Sequence, residues 1–442
     1  QPRADNPGAV NLADLTRNRD TVPPINVATH AGKDVLQLQG GATLHRTLAG
    51  GGEARLTVFG LSRDLENPQT FAYIRLDRTA YGARATVTRR GVTAGLDLQR
   101  QRDDRANFGN AGGSPDTVRS LDQLEHVTEL GLFVQGVTDV APRGTVTAGL
   151  RYDRVSFDVR DRLVGDSTSD VKYRNDSGRR LMAALSGSLG ATLRAGEGVT
   201  LYASTGSSFE TPTTTELANR PDTAGGFNRD LRPQQAWTYE AGVRGGGEGV
   251  HPWQATWDIA LFDAEVRNAL VAFEIPTSPG RRFFRNAGSA RHRGVELAAG
   301  AVPLSGVEVR LTWTYSDFRY RRYTFTAGGT PHELDGRRLP GIPRHAVRVA
   351  LRLHPPRPRG GWTEVETQHA SRYAVDDTLS RQTSAWWVTN VRVGWKGAFV
   401  ALQNAFNRKY SGSVVINAAA GRYYEPAPGR NLLVGLTIGA GK

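Results

Sequence analysis

The sequence has no cysteine and a single methionine in 442 residues. No disulfide framework and no thiolate metal site can be built from it. No window approaches the roughly 18 consecutive apolar residues of a membrane-spanning helix. Hydrophobic residues make up only 38% of the chain, low for a globular protein of this length. Either much of the chain is disordered or its apolar side chains are spread thinly over one face. There is no signal peptide, and the first residue is Gln1. That start reads as a processed or truncated chain.

What is abundant is glycine, with 51 residues, and positive charge, with a net +13. The arginines are scattered through the whole chain. Nucleic-acid binders concentrate such charge on one patch or helix, so a nucleic-acid partner is not expected. The length allows two or three ordinary domains or one very large one.

Helical periodicity is almost absent, and period-two alternation is everywhere. In VEVRLTWTY, Val307, Val309, Leu311, Trp313 and Tyr315 share one face, and Glu308, Arg310, Thr312 and Thr314 share the other. HAVRVALRL, WWVTNVRVGW and the stretch Leu432 to Ile438 alternate likewise. Read this way the chain holds about seventeen strands, most of ten or more residues, where soluble strands run about five or six. About ten tilted residues is what crossing a bilayer requires.

The connections alternate short and long without a break. They begin LAGGGE (short), SRDLENPQTF (long), RRG (short), DDRANFGNAGGSPDTVRSL (long), and end WKGA (short), SGSVVINAAAGRYYEPAPG (long). In an up-and-down sheet every second connection lies at the same end. Tight turns at one rim and long loops at the other describe an outer-membrane β-barrel. The segment Ser208–Gln235 is then an outside loop. Trp237, Tyr239, Trp253, Trp257, Trp313, Tyr315, Trp362, Trp386, Trp387 and Trp395 fall near strand ends, where interfacial girdles form. The expected fold class is all-β: an antiparallel transmembrane barrel of about seventeen visible strands. Residues 1–33 are expected to be an extracellular or irregular segment, and 34–442 the barrel wall. Counting back from an inward last strand leaves an odd strand number, so the chain is expected to be the C-terminal portion of a larger barrel.

Several motifs, in order, resemble the C-terminal barrel of TonB-dependent outer-membrane receptors of the siderophore and iron-complex class. They are LRYDRVSF (Leu150–Phe157), SFETPTTTEL (Ser208–Leu217), LRPQQAWTYEAGVRG (Leu231–Gly245) and FRNAGSARHRGVELAAG (Phe284–Gly300). LPGIPRH (Leu339–His345), LQNAFNRKY (Leu402–Tyr410) and PAPGRNLLVGLTI (Pro426–Ile438) continue the series. The resemblance runs from about residue 30. It implies a 22-stranded barrel closed by an N-terminal plug, import of a bound substrate, and energy from the TonB complex. The plug and its TonB-contacting segment would lie outside this sequence. It also implies an outer-membrane location in a Gram-negative-type bacterium, in contact with lipid and lipopolysaccharide. A passive porin remains the alternative, and cobalamin, haem and glycans are alternative substrates within the same class.

No catalytic constellation stands out, and no enzyme activity or cofactor is expected. LSGSLG lacks the nucleophile-elbow pattern, GGGEG lacks a following Lys-Ser/Thr, and no two His share i, i+4 spacing. Pro212, Pro233, Pro340, Pro343, Pro426 and Pro428 read as strand-end scaffold, and Gly242, Gly288, Gly294, Gly341 and Gly435 as bulges or close packing. Asp158, Asp161, Asp166 and Asp170, and separately Asp376 with Asp377, read as solvated loop carboxylates rather than a metal site. The candidate ligand contacts are Phe209, Arg220, Phe227, Asn228 and Arg232 in one long loop, and Asn417, Arg422, Tyr423 and Tyr424 in the last. Arg with Tyr suits an anionic or aromatic ligand such as a ferric siderophore. Inward Arg310, Arg348, Arg352 and Arg392 would meet a plug or line a ligand route.

Overall fold

The computed structural model describes residues 3–163, 177–218, 228–246, 254–277, 281–327, 330–355 and 360–437. Among these, seventeen strands form one antiparallel meander, each bonded to its neighbours along the chain. They are Gly32–Leu48, Gly52–Pro68, Tyr73–Arg89, Val92–Ala111, Ser114–Ala141, Gly144–Asp161, Gly178–Gly196, Val199–Glu210 and Gln234–Gly246. The series continues with Gln254–Arg267, Ser289–Leu304, Val307–Arg322, His345–Leu353, Gly361–Ala370, Trp386–Trp395, Ala398–Gln403 and Asn431–Leu436. The two-residue strand Ala4–Asp5 pairs with Gly32 and Lys33 and makes the eighteenth member of the sheet. The architecture is the wall of an up-and-down transmembrane β-barrel.

Register fixes which residues share a face. Leu297 lies opposite Trp313, which lies opposite Val347, which lies opposite His369, which lies opposite Trp387. Along this face Leu36, Leu38, Leu44, Leu185, Leu261 and Val434 are large, apolar and more than half exposed. Water would disfavour such a surface, but hydrocarbon does not. The opposite face carries the ion pairs Arg84–Asp97, Arg78–Asp103, Arg310–Glu308 and Arg392–Glu364 and is the lumen.

Two expected long loops are in fact strand. SRDLENPQTF continues the Gly52–Pro68 hairpin nearly to its tip. DDRANFGNAGGSPDTVRSL completes strands of 20 and 28 residues joined only through Gly112 and Gly113. Both glycines have positive φ, 61° and 89°, the conformation a two-residue turn requires. Asn110 Oδ1 accepts the Gly113 N–H at 2.7 Å and closes it. The wall is therefore tall here and low at its end, where the last two strands have six residues each.

Among the described residues no pairing joins Asn431–Leu436 to Gly32–Leu48. At the long-loop rim, residues 3–31 reach across this seam with two short helices, Leu12–Arg17 and Pro24–Ala28. Val10 and Tyr424 exchange backbone hydrogen bonds of 2.8 and 3.1 Å. Arg19 donates to the carbonyls of Tyr410 and Ala427 at 2.9 and 3.0 Å.

Six lumen-facing glycines sit under aromatic rings of the neighbouring strand: Gly82 under Phe59, Gly95 under Phe133, Gly242 under Tyr202, Gly294 under Phe262, Gly394 under Trp362 and Gly435 under Phe399. Close packing, rather than a bulge, explains Gly242, Gly294 and Gly435. An arginine caps four of these rings: Arg151 on Phe133, Arg244 on Tyr202, Arg352 on Trp362 and Arg392 on Phe399, at 5.6, 5.6, 4.3 and 5.5 Å. The rings thus lie over the glycine backbones of the next strand. Trp362 faces the lumen, and so does Trp386, which packs tilted against Tyr410 with 4.6 Å between ring centres. Neither belongs to the lipid-facing girdle expected for them.

A methyl group at Gly95 would collide with the Phe133 ring. Gly95→Ala is expected to destabilise the wall by about 1–3 kcal/mol through overpacking, measured as a lower unfolding midpoint in urea. Gly136→Ala, where a Cβ meets nothing, serves as the control.

Candidate functional site

Four segments of the long-loop rim wall a cavity of about 360 Å³: residues 3–31, the turn after Pro68, the connection between Leu270–Phe273 and Phe283–Asn286, and the loop 404–430. Arg282, Arg422, Glu274 and Glu425 line it, together with the amides of Asn6, Asn26, Asn67 and Gln69. Two guanidiniums face two carboxylates, so the cavity is rich in hydrogen-bonding groups and balanced in charge. Of the seven described residues among the nine singled out in the sequence, Arg422 is the one on this cavity's wall.

Asn417 ties the loops together. Its φ of 56° is left-handed, which Asn tolerates. Its side-chain amide donates to the Ala272 carbonyl at 3.2 Å and to Asp377 at 3.0 Å, and its oxygen accepts the Asp377 N–H at 2.9 Å. Its own N–H reaches the Val375 carbonyl at 3.1 Å. Tyr424 is buried against Val10 and Val375, and its hydroxyl donates to the Gln382 carbonyl at 3.2 Å. Tyr423 packs edge-on against it with 6.2 Å between ring centres.

The other long loop turns inward. Helix Thr214–Ala218 and Leu231 close a buried cluster with Val127, Phe157, Val159 and Met182 of the wall. Phe209 packs against this cluster. The helix starts with a capping box: Glu216 N–H donates to Thr213 Oγ1 at 3.3 Å, and Thr213 N–H donates to Glu216 at 2.7 Å. The Asn228 N–H donates to the Leu217 carbonyl at 2.6 Å, and the Asn228 carbonyl accepts from Arg180 at 2.9 Å. Arg232 exchanges two backbone hydrogen bonds with the Asn286 side chain, at 2.7 and 2.9 Å, and its side chain is exposed. The strands extend to Glu210 and resume at Gln234, so the connection is shorter than the Ser208–Gln235 span read from sequence. Arg220 and Phe227 lie outside the described residues, as do Asp166 and Asp170.

Asp376 and Asp377 are buried, not solvated. Asp377 accepts from Tyr320 at 2.7 Å and from Asn417, with Tyr323 at 3.4 Å. Burial raises its carboxyl and outweighs these hydrogen bonds and the nearby Arg285. Arg285 itself sits over Phe325 and Phe273 at 4.1 and 4.5 Å. Burial pushes the Asp376 carboxyl up too, but hydrogen bonds from Thr378, Ser380 and Arg381 win and hold it below the usual range. The sequence singled out these carboxylates for their charge. The structure uses them as internal anchors of the loop.

The lumen arginines also find partners in the wall itself. Arg348 pairs with Glu366 and Arg310 with Glu308. Asp158 and Asp161, expected in a loop, belong to the strand Gly144–Asp161. Asp158 pairs with Arg179 at 2.7 Å on the outward face.

A single meander with lipid-type and lumen-type faces, tight turns at one rim and a loop-built mouth at the other defines an outer-membrane barrel wall. Residues 10–413 match the family model described as TonB dependent receptor-like, beta-barrel, and the chain belongs to that family. It is 28% identical over 241 residues to the ferrioxamine B receptor of Salmonella typhimurium (strain SL1344), a match covering 54% of this chain and 29% of that protein. The fold is shared with the siderophore receptor PiuA from Acinetobacter baumannii, at a TM-score of 0.71 and 13% identity, covering 91% of this chain and 64% of that one. It is shared too with the ferric yersiniabactin uptake receptor FyuA from Yersinia pestis, at a TM-score of 0.69 and 16% identity, covering 98% and 65%. The chain thus spans less than two thirds of the length of each.

Asp376→Asn would turn an acceptor toward two backbone donors into an amide that fits only one. It is expected to loosen residues 376–381 by about 1–3 kcal/mol, read as faster amide exchange there. With its folded value depressed, Asp376 stabilises the loop above the ordinary Asp pKa of about 3.9, and that stability is lost as pH falls through the lower folded value. Asp377, raised, titrates in the opposite sense. In an Asp377→Asn background, pepsin cleavage of the loop is therefore expected only below about pH 3.9.

Proposed function

We propose that the chain is the wall and mouth of an outer-membrane receptor that imports a ferric siderophore or similar iron complex, driven through a TonB partner. Residues 1–33 belong to the extracellular mouth and 34–442 to the barrel, whose long loops complete that mouth. The observation that carries this reading is the mouth cavity, polar and walled by four separate segments of the long-loop rim. A polar cleft at the end of a barrel is where a ligand would be held before passage. The relatives named above as receptors of ferric chelates support the substrate class.

The balanced charge of the cavity favours a compact chelate of low net charge, rich in donors and acceptors, over a polyanion. Arg422 contacts the chelate. Asn417, Tyr423 and Tyr424 hold the loop that presents it, while Phe209, Asn228 and Arg232 fix the inward loop. Lipid and lipopolysaccharide surround the wall.

Fluorescence titration of the chain in lipid nanodiscs with ferric ferrioxamine B, ferric citrate and a ferric tris-catecholate tests the reading. The hydroxamate is expected to bind best. Arg422→Ala is expected to weaken it about ten-fold or more, the loss of a charge-assisted hydrogen bond. Absence of binding by all three chelates, or an unchanged affinity in Arg422→Ala, would contradict the proposal.

A further inference from the structure

The short helix Pro24–Ala28 is built inside out. It buries one side chain, the polar Asn26, and exposes its two large apolar ones, Ile25 and Val27, at 47% and 60%. A surface helix normally does the reverse. The arrangement is fixed by packing. Gly8 lies so close to the Asn26 side chain that a Cβ there would collide with it, and the Asn26 amide donates to the Asn6 carbonyl at 3.2 Å.

Hydrocarbon does not cover these side chains. The Asn110 amide donates to the Thr29 carbonyl at 2.9 Å and to the Gln69 carbonyl at 3.0 Å, which ties the end of the helix to the turn after Pro68. That turn joins two strands of 17 residues each. At about 3.3 Å per residue and a tilt of about 40°, such strands rise roughly 43 Å, against an apolar band of about 25 Å. The helix therefore stands in water, above the bilayer. Phe71, in the same turn, is 42% exposed and lines the mouth cavity. Asn26, Ile74 and Val415 line that cavity too. The polar cavity thus has an apolar margin, which Ile25 and Val27 continue on either side of Asn26.

Apolar side chains held in water at the lip of a ligand cavity are matched by an apolar part of the ligand. We propose that the chelate is an amphiphile, with its iron-binding head among the polar groups of the cavity and a hydrocarbon tail lying over Phe71, Ile25 and Val27. This rests on the proposed reading of the cavity as the chelate site, with the long-loop rim outside, and names the class of chelate more narrowly. Three side chains fall far short of the roughly 800 Å² per partner that a stable protein interface buries, but they suit a single alkyl chain.

Fluorescence titration of the chain in lipid nanodiscs tests it, with one ferric tris-hydroxamate capped by either an acetyl or a decanoyl group. Empty nanodiscs correct for partition of the tail into lipid. The decanoyl chelate is expected to bind about ten-fold tighter or more, the contribution of roughly two buried methylenes. The double change Ile25→Ser with Val27→Ser is expected to bring the two chelates to near parity while the acetyl chelate binds as before. Phe71→Ser is expected to lower the same ratio and carries the test should the double variant fail to fold. Equal affinity for both chelates in the unaltered chain, or an undiminished preference in the variants, would overturn this inference and leave the receptor reading standing. Binding of neither chelate would contradict that reading, and this inference with it.

Discussion

A backbone immersed in hydrocarbon must satisfy every N–H and C=O within protein, because lipid offers no partner. That constraint dictates the rest of this molecule. It requires strand to follow strand in one unbroken ladder, as the seventeen do. It also forces the side chains into two populations, since each strand shows alternate residues to lipid and to lumen. The low apolar fraction follows, because half of each strand faces a wet interior.

The lumen solves a second problem. Charged residues on its wall pair within a strand or with neighbours one or two strands away, so the interior holds many charges with little net cost. Aromatic rings lie over glycines, with arginines over several of the rings. Bulk is thereby kept against the wall.

The wall was legible in the sequence because period-two alternation survives every change of loop. VEVRLTWTY and HAVRVALRL show it without ambiguity, and the strand number follows from it. The two tall hairpins were not legible. DDRANFGNAGGSPDTVRSL is polar on both faces because it stands above the bilayer, and polarity of that kind reads as loop. The mouth was harder still. Asp376 and Asp377 look like solvent-facing charges, and only the folded chain brings Thr378, Ser380, Tyr320 and Asn417 onto them. One missed signal was local: the T-x-x-E of Thr213 and Glu216 marks the short helix that turns the loop inward. The contacts of Asn417 with residues 272 and 377 join segments far apart in the chain, and no local pattern encodes them.

The central claim is that successive residues of each strand alternate between lipid and lumen. The chain has no cysteine, so single cysteines can be introduced one at a time from Val307 to Tyr315 and spin-labelled in a bilayer. Collision with dissolved oxygen should be high at positions 309, 311 and 313 and low at 310, 312 and 314. A flat profile, a helical period, or equal access of a water-soluble relaxant to every position would contradict the account.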